Sequence, residues 1–348
     1  MKNFTLIILL VLFGFETINA QNSGNFWYFS AGSLNWCTPQ ANGDPLYTAG
    51  SMGGGEGYAM VSDANCNMIF YTDGTFVWNA NWMIMSNSMS GSPGGSLQGS
   101  PSSTQSALII PKPLSTTSYY IFTADANLGA DGISYSRVDM TMNSGLGDID
   151  LAEKNVLLIS WATEKLNAVR HSNGVNIWVV CHPFNSANFY SYLVTSTGVI
   201  AIPVISSIGS FISGVSANTR GYMKFSQDGS RMVAAIEGMN MYELFDFNST
   251  TGQVMNYIPL TGANYDDCYG VEFSATGQYL YGSERWGNQL RQWDISLPTA
   301  SAIQASEVIV ATLSSYAGKA LLLGPDYKIY LARGSHNYVG RINYPDQP

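Results

Sequence analysis

Residues 221–246, GYMKFSQDGSRMVAAIEGMNMYELFD, decide the fold. Two apolar runs, 221–225 and 231–234, flank the turn Gln227-Asp228-Gly229, and a third run, 243–246, ends in Asp. Asp and Gly tolerate positive φ, so a turn of this composition joins adjacent antiparallel strands. The stretch therefore predicts three consecutive strands of one antiparallel sheet.

The second of these strands recurs along the chain. Runs of β type begin at residues 68, 119, 177, 231, 279 and 329, so successive starts are 51, 58, 54, 48 and 50 residues apart. Four antiparallel strands in each unit of about fifty residues are typical of a propeller blade of the WD40/YVTN-like kind. Six full four-stranded units are predicted to begin near residues 56, 106, 163, 221, 268 and 319.

The N-terminal region predicts part of one more blade. Residues 25–29 and 33–36 resemble a second and a third strand with no first strand before them. Propellers often complete one blade with strands from both chain ends, which removes an exposed edge. We therefore predict an all-β, seven-bladed β-propeller made of six repeats and an N-terminal partial blade. Its closing strands should come from beyond residue 343, so we expect the sequence to be truncated at its C-terminal end.

Charge and the N-terminus limit the function classes. The formal charge is −9 and Lys and Arg form no cluster, so the chain should repel phosphate backbones and anionic lipids. Neither nucleic-acid binding nor membrane insertion is predicted. Residues 1–20 contain Lys2, an apolar stretch over 4–15 and a small residue, Ala20, as a signal peptide does. We expect an exported protein, secreted or held at the cell surface, whose propeller domain spans residues 21–348.

Four cysteines, Cys37, Cys66, Cys181 and Cys268, allow three disulfide pairings. Cys37 and Cys66 lie in neighbouring loop-like segments, and export permits a disulfide between them. Cys181 ends an apolar run, where a buried free thiol is expected.

Several longer stretches resemble a known family. MIFYTDGTFVWN (68–79), SSTQSALIIPKP (102–113), NVLLISWATEKLNAVRH (155–171) and FDFNSTTGQV (245–254) resemble the propeller region of surface proteins from gliding, Gram-negative bacteria. Such proteins often continue into immunoglobulin-like modules of the polycystic-kidney-disease type. They end in a gliding-motility-associated domain that sorts them to type IX secretion. The resemblance covers residues 25–348 and implies a surface-exposed propeller, with no catalytic residues to transfer.

Enzyme and metal signatures are sparse. The sequence has no G-x-S-x-G elbow, H-E-x-x-H motif or Walker loop, and no cofactor is predicted. Asp125, Asn127 and Asp131 place three side-chain oxygens in a Gly-containing loop and are candidate calcium ligands. Asx turns explain the same residues without a metal.

The polar residues that we expect to act together lie at one mouth of the central channel. In a propeller, the loops that enter the innermost strands and the loops that leave the second strands share one face. Those loops carry Asp73, Gln105, Glu164, Lys165, His182, Asn218, Arg220, Glu237, Asp266, Asp267, Glu284, Arg285, Trp286 and His336. Convergent, concave positions favour ligand sites, although polar residues also occupy loops for no other reason than solvation.

A binding or adhesion module best fits these features. Its ligand would be polar, such as a glycan or another surface protein. Trp286 would stack on a sugar face while Glu284 and Arg285 hydrogen-bond to hydroxyls. A propeller enzyme of lactonase or quinoprotein type would use the same face, and a structural spacer in a longer surface protein is a third alternative. The absence of a metal-ligand set or an evident nucleophile favours binding.

Overall fold

Seven small antiparallel sheets follow one another along the chain and form the seven blades of a β-propeller. The computed structural model describes residues 24–29, 32–49, 57–313, 317–333 and 339–348. The predicted signal peptide and His336 lie outside the described residues. Within them, no helix has the length and apolar character needed to cross a bilayer. The seven-bladed fold predicted from the fifty-residue repeat is confirmed.

The strand bounds of the first four blades are as follows. Blade 1 contains β1 (Phe26–Phe29), β2 (Gly32–Asn35) and β3 (Leu46–Ala49). Blade 2 contains β4 (Ala59–Ser62), β5 (Met68–Thr72) and β6 (Val77–Asn79). Blade 3 contains β7 (Ala107–Pro111), β8 (Ser118–Ala124), β9 (Ile133–Asp139), β10 (Asp148–Ile149) and β11 (Val156–Ile159). Blade 4 contains β12 (Ala162–Arg170), β13 (Ile177–Pro183), β14 (Ser186–Thr195), β15 (Gly198–Val199) and β16 (Val204–Ile212).

The remaining blades complete the ring. Blade 5 contains β17 (Met223–Phe225), β18 (Arg231–Ile236), β19 (Met241–Asn248) and β20 (Gln253–Thr261). Blade 6 contains β21 (Cys268–Phe273), β22 (Tyr279–Glu284), β23 (Gln289–Asp294) and β24 (Val308–Thr312), with helix α1 (Ala300–Ala305) before β24. Blade 7 contains β25 (Ala317–Leu323), β26 (Ile329–Arg333) and β27 (Gly340–Ile342). Short 3-10 turns cover Ser86–Ser88, Asn143–Gly145, Leu151–Glu153, Ser216–Thr219 and Glu237–Met239.

The turn chemistry of blade 5 behaves as its sequence predicts. Gly229 has a φ of 70°, and the backbone N–H of Ser226 donates to the Arg231 carbonyl at 3.0 Å. β17 then pairs with β18 in antiparallel register, with Met223 opposite Ala234. The inner strands of blades 2 to 7 begin within three residues of the predicted unit starts.

Strand number departs from four in several blades. In blade 2 the segment after β6 forms one isolated bridge, between Trp78 and Ile84, and the Ser86–Ser88 turn. Residues 86–103 are rich in Ser and Gly and lack the β-branched alternation that a fourth strand needs. Blades 3 and 4 instead have five strands, because β11 pairs with β9 and β16 pairs with β14 beside a two-residue strand.

The three strands of blade 1, β1, β2 and β3, occupy the second, third and fourth strand positions of a blade, counted from the channel outward. Turns from inner to second strands define what we call the lower face, and Cys66 and Lys328 lie in two of them. Cys37, in the loop after β2, forms a disulfide with Cys66, and Asp44 of the same loop contacts Lys328 at 3.3 Å. This loop is therefore on the lower face, where third strands end. Among the described residues, no strand pairs with the inner edge of β1.

The core lies between adjacent blades rather than within any one of them. Between blades 5 and 6, Tyr242 and Trp293 are fully buried and their ring centroids are 5.3 Å apart. Gly282 permits this contact, since a Cβ at that position would lie 2.7 Å from the Tyr242 ring. Equivalent clusters join blades 2 to 3, 3 to 4, 4 to 5 and 6 to 7. Each fully buried aromatic side chain contributes about 2–3 kcal/mol.

Candidate functional site

The upper face of the ring brings together most of the polar residues predicted to surround the channel. We call its loops the rim. The rim comprises residues 125–132, 161–165, 213–222, 237–240, 262–267 and 284–288.

Glu164, at the upper end of β12, binds its neighbours instead of facing solvent. Its side chain is 1% exposed. One carboxylate oxygen accepts hydrogen bonds from both the backbone N–H and the hydroxyl of Thr104, each at 2.7 Å. The other accepts the backbone N–H of Asn127 at 3.0 Å. Glu164 therefore ties two loops of blade 3 to blade 4, which makes it a structural residue of the rim.

Lys165 and His182 are also interior. The Lys165 ammonium, fully buried, donates to the carbonyls of Thr219 at 3.2 Å and Arg220 at 2.9 Å. Burial lowers the pKa of Lys165 to about 8, against the attraction of three nearby carboxylates. Burial and the adjacent Lys165 charge lower the pKa of His182 to about 3, so its ring is neutral. Neither side chain can contact a ligand at the surface.

Two arginines converge on one buried carboxylate at the centre of the rim. Glu237, which is 2% exposed, accepts from Arg220 at 3.0 Å and from Arg285 at 3.2 Å. Arg220 also donates to the Asn127 side-chain oxygen at 2.9 and 3.2 Å, which links blade 5 to blade 3. The sequence placed all three charged residues at the channel mouth, and the structure brings them into one network.

The rim exposes an indole ring on blade 6. Trp286 is 50% exposed, and the Arg285 guanidinium carbon lies 5.4 Å from the centre of its ring. The Arg285 backbone N–H donates to the Asp267 carbonyl at 2.8 Å, which brings this residue beside the loop before β21. That loop also contacts blade 5, where Asn240 accepts the Asp267 N–H at 2.7 Å. Asp266, next in the loop, is exposed.

The two aspartates of this loop have their carboxylates available. Among the described residues, neither the Asp266 nor the Asp267 carboxylate has a hydrogen-bond partner. Partial burial and the neighbouring Asp266 charge raise the pKa of Asp267, although Arg285 and Arg220 oppose the shift. Two acceptor groups thus lie in the loop that the backbone of Arg285, the neighbour of Trp286, contacts.

Glu284 does not take the role expected from the sequence. It is 2% exposed and pairs with Arg291 at 3.0 Å. It also accepts the backbone N–H groups of Gln289 at 3.1 Å and Asp266 at 3.3 Å. These contacts at the upper end of β22 keep Glu284 from solvent, so the prediction that Glu284 bonds to ligand hydroxyls is replaced by a role in holding the Asp266 loop.

Three further predicted residues also make internal contacts. Asp73 is buried and accepts the N–H groups of Thr75 and Phe76 within its own turn, both at 2.8 Å. The Gln105 side chain bridges blades 3 and 5 through Met223, accepting its N–H at 2.8 Å and donating to its carbonyl at 3.1 Å. The Asn218 amide donates to the Ser213 carbonyl at 2.6 Å.

The calcium candidates are occupied by other contacts. The Asn127 side-chain oxygen accepts from the Arg220 guanidinium, a cation already in place. Asp125 accepts the N–H groups of Ala126 at 2.7 Å and Asp131 at 3.3 Å within its own loop. In the part of the chain that the structure describes, no three His, Cys, Asp or Glu residues are grouped so as to hold a metal ion.

Sequence reasoning missed the partners that organise the rim. No local pattern predicts the bond of Thr104 to Glu164 or that of Asn240 to Asp267, since the two bonds span 60 and 27 positions. Asn240 carries one local signal: an Asn after a short turn often adopts the left-handed conformation, and its φ is 51°.

Comparisons with known proteins establish the fold alone. No family model and no curated protein matches the sequence. The β-propeller domain of Cps50 (Swd1) from Myceliophteria thermophila aligns with a TM-score of 0.52 at 9% identity, over 92% of this chain and 97% of that one. Hydrazine synthase from Kuenenia stuttgartiensis aligns with a TM-score of 0.51 at 11% identity, over 89% and 88%. A putative 6-phosphogluconolactonase from Bacteroides fragilis NCTC 9343 aligns at 0.39 and 14% identity, over 70% and 68%, too distant to support a lactonase activity. The chain is thus similar to seven-bladed propellers, and its function has to be argued from its own rim.

Proposed function

We propose that this propeller is an exported surface-binding module that takes a hydroxyl-rich ligand, such as a glycan, at the blade 6 part of its rim. The observation that carries the proposal is the exposed Trp286 ring next to Arg285, whose N–H donates to the Asp267 carbonyl, together with the Asp266 and Asp267 carboxylates, which have no hydrogen-bond partner among the described residues. Sugar hydroxyls donate hydrogen bonds, carboxylates accept them, and an indole ring covers the apolar face of a pyranose. The rim therefore offers complementary groups for a sugar.

The surrounding network supports the proposal by holding these groups in place. Glu284 fixes the backbone of Asp266, Asn240 fixes that of Asp267, and the Arg285 guanidinium lies 5.4 Å from the Trp286 ring centre. Rigid, preorganised polar groups lose less entropy when a ligand binds. Export rests on the pattern of residues 1–20. Membership in the gliding-motility surface-protein family, with type IX secretion, rests on the sequence resemblance, and we retain both as parts of the proposal.

Binding to a glycan array tests the proposal, followed by titration calorimetry with any glycan that binds. Trp286→Ala and the double variant Asp266→Asn/Asp267→Asn should each weaken binding at least tenfold. The matched control is Trp82→Ala, because Trp82 is 48% exposed but lies on blade 2. Retention of full affinity in both rim variants would exclude this surface. Turnover of a lactone by the native chain would instead favour the enzymatic alternative.

A further inference from the structure

A cavity lies at the lower end of the inner strands, away from the rim. It encloses about 390 Å³ and is lined by the inner strands of blades 4, 5, 6 and 7 together with the turn 226–229. This volume lies within the range of small-ligand sites. The Met223 carbonyl accepts from both Gln105 and Asn167, at 3.1 and 2.6 Å, between the cavity and the rim. The cavity therefore opens toward the lower face and is separate from the proposed glycan site.

The acidic groups of this cavity are already occupied. Glu272, 5% exposed, accepts from the Lys224 ammonium at 3.2 Å and from the backbone N–H groups of Leu323 and Phe273 at 3.1 and 3.0 Å. Asp228 accepts from the Ser226 hydroxyl at 2.6 Å, and the Ser230 N–H and hydroxyl also donate to it. Both carboxylates are therefore engaged in hydrogen bonds, and Glu272 also forms an ion pair.

The donors of the cavity, in contrast, are mostly unused. The Arg170 guanidinium makes one contact among the described residues, to the Gly174 carbonyl at 3.4 Å. The Lys224 ammonium has three N–H donors and one partner, Glu272. The Gln227 side chain, exposed at the lower edge, has no hydrogen-bond partner in the described part of the chain. A cavity with spare N–H donors and satisfied carboxylates is complementary to an anion.

We propose that this lower cavity binds a small oxyanion, a carboxylate or a phosphate, with Arg170 as its principal partner and Lys224 and Gln227 as further donors. The chain carries a net charge of −9, so an anion would be repelled by most of the surface. Arg170 and Lys224, on the inner strands of adjacent blades, balance the charges of Glu272 and Asp228 in the cavity, and their unused N–H donors are what an anion would bind.

Titration calorimetry of the native chain with inorganic phosphate and, separately, with citrate tests the proposal and distinguishes the two anion classes. At least one probe should bind with a stoichiometry of one. Arg170→Gln should weaken that binding about tenfold or more, because a charged guanidinium–oxyanion contact is lost. Gln227→Ala should weaken it severalfold. Both side chains are exposed and make little or no internal contact, so both variants should fold.

The matched control is Arg231→Gln. Arg231 is also partly exposed near the lower face, but it pairs with Asp246 and does not line the cavity. This variant should bind the probe as the native chain does, and so should Trp286→Ala, which removes only the proposed glycan site. Absence of heat with both probes, or equal affinity of Arg170→Gln and the native chain, would overturn the proposal.

Discussion

Replacing Glu164 by Gln should destabilise the protein by about 3 kcal/mol, because the buried carboxylate accepts several hydrogen bonds, three of them at 3.0 Å or less. Its two oxygens accept the N–H and hydroxyl of Thr104 and the N–H of Asn127. A Gln side chain has one acceptor oxygen and one NH2 group. That NH2 group must therefore lie against the N–H or hydroxyl donors of Thr104 or against the N–H donor of Asn127. A buried N–H without a partner costs about 1–3 kcal/mol, and the remaining bonds lose their charge-assisted strength.

Urea unfolding followed by the fluorescence of the eight tryptophans measures this loss. The control Asp131→Asn also removes one negative charge, but at an exposed rim position, and should change the free energy of unfolding by no more than about 0.5 kcal/mol. Amide hydrogen exchange at Thr104 and Asn127 should accelerate in Glu164→Gln. If stability and both exchange rates match the native chain, the carboxylate does not make these bonds in solution and the reasoning is refuted.

Three further predictions concern Lys165, the disulfide between Cys37 and Cys66, and Gly282. Lys165 releases its proton above a pKa of about 8 in the fold and near 10.5 when unfolded, so the unfolded chain binds more protons between these values. The stability of the native chain relative to Lys165→Met should therefore rise with pH from 8 to 10, by at most about 1.4 kcal/mol per pH unit in urea titrations, and a flat difference would contradict the low pKa. Replacing both Cys37 and Cys66 by Ala opens a loop of 29 residues and should cost about 3.5 kcal/mol in guanidinium unfolding, whereas an unchanged midpoint would mean that the bridge constrains nothing. Gly282→Ala inserts a methyl group against a buried ring and should cost about 1–3 kcal/mol by the same measurement, while Gly91→Ala, with nothing within 4 Å, should not.

The propeller fold can be predicted from the sequence because the strand and turn patterns that specify each blade are local and repeated. The turn Gln227-Asp228-Gly229 and the strand at 231 form contacts within a few residues of each other, and the same pattern returns at intervals near fifty. The departure of blade 2 is also local, since the Ser- and Gly-rich stretch 86–103 cannot supply a strand. Pattern reasoning succeeds where neighbours in sequence are neighbours in space.

The rim could be located from the sequence, but the accessibility of its residues could not. Glu164 and Asp266 are equally polar in sequence, yet one is 1% exposed and the other is exposed. The difference arises from contacts with Thr104 and Glu284, which only the closed ring brings near. Burial of a charge at a channel mouth depends on which loops fold over it, and that is a property of several blades together.

The sequence contains a local pattern that indicates the ion pair of the lower cavity. Lys224 and Glu272 each stand seven residues before the start of their second strands, at 231 and 279, and so occupy equivalent positions of consecutive repeats. Opposite charges at equivalent positions of neighbouring inner strands predict an ion pair between the two blades, and the structure contains one at 3.2 Å. Comparing repeats position by position would have revealed this pair.

Different interactions hold the two sides of blade 1. We call its junction with blade 2 the hinge and its junction with blade 7 the seam. Toward blade 2 the fastening is covalent, through Cys37 and Cys66. Toward blade 7 it consists of the aromatic contacts of Trp27 and Trp36 with Tyr330, at 5.6 and 5.5 Å, and of the ion pairs of Asp44.

Salt screens the exposed ion pairs and leaves the disulfide intact, so the two fastenings respond to different conditions. We expect a local opening of the ring to begin at the seam, where the contacts of blade 1 with blade 7 break first. The disulfide at the hinge then keeps blade 1 next to blade 2. In an oxidising environment the disulfide persists, so the contacts between blades 1 and 7 can form again. Under reducing conditions the bond between Cys37 and Cys66 is lost, and the polypeptide from β3 to β4 is the covalent connection that remains between blades 1 and 2.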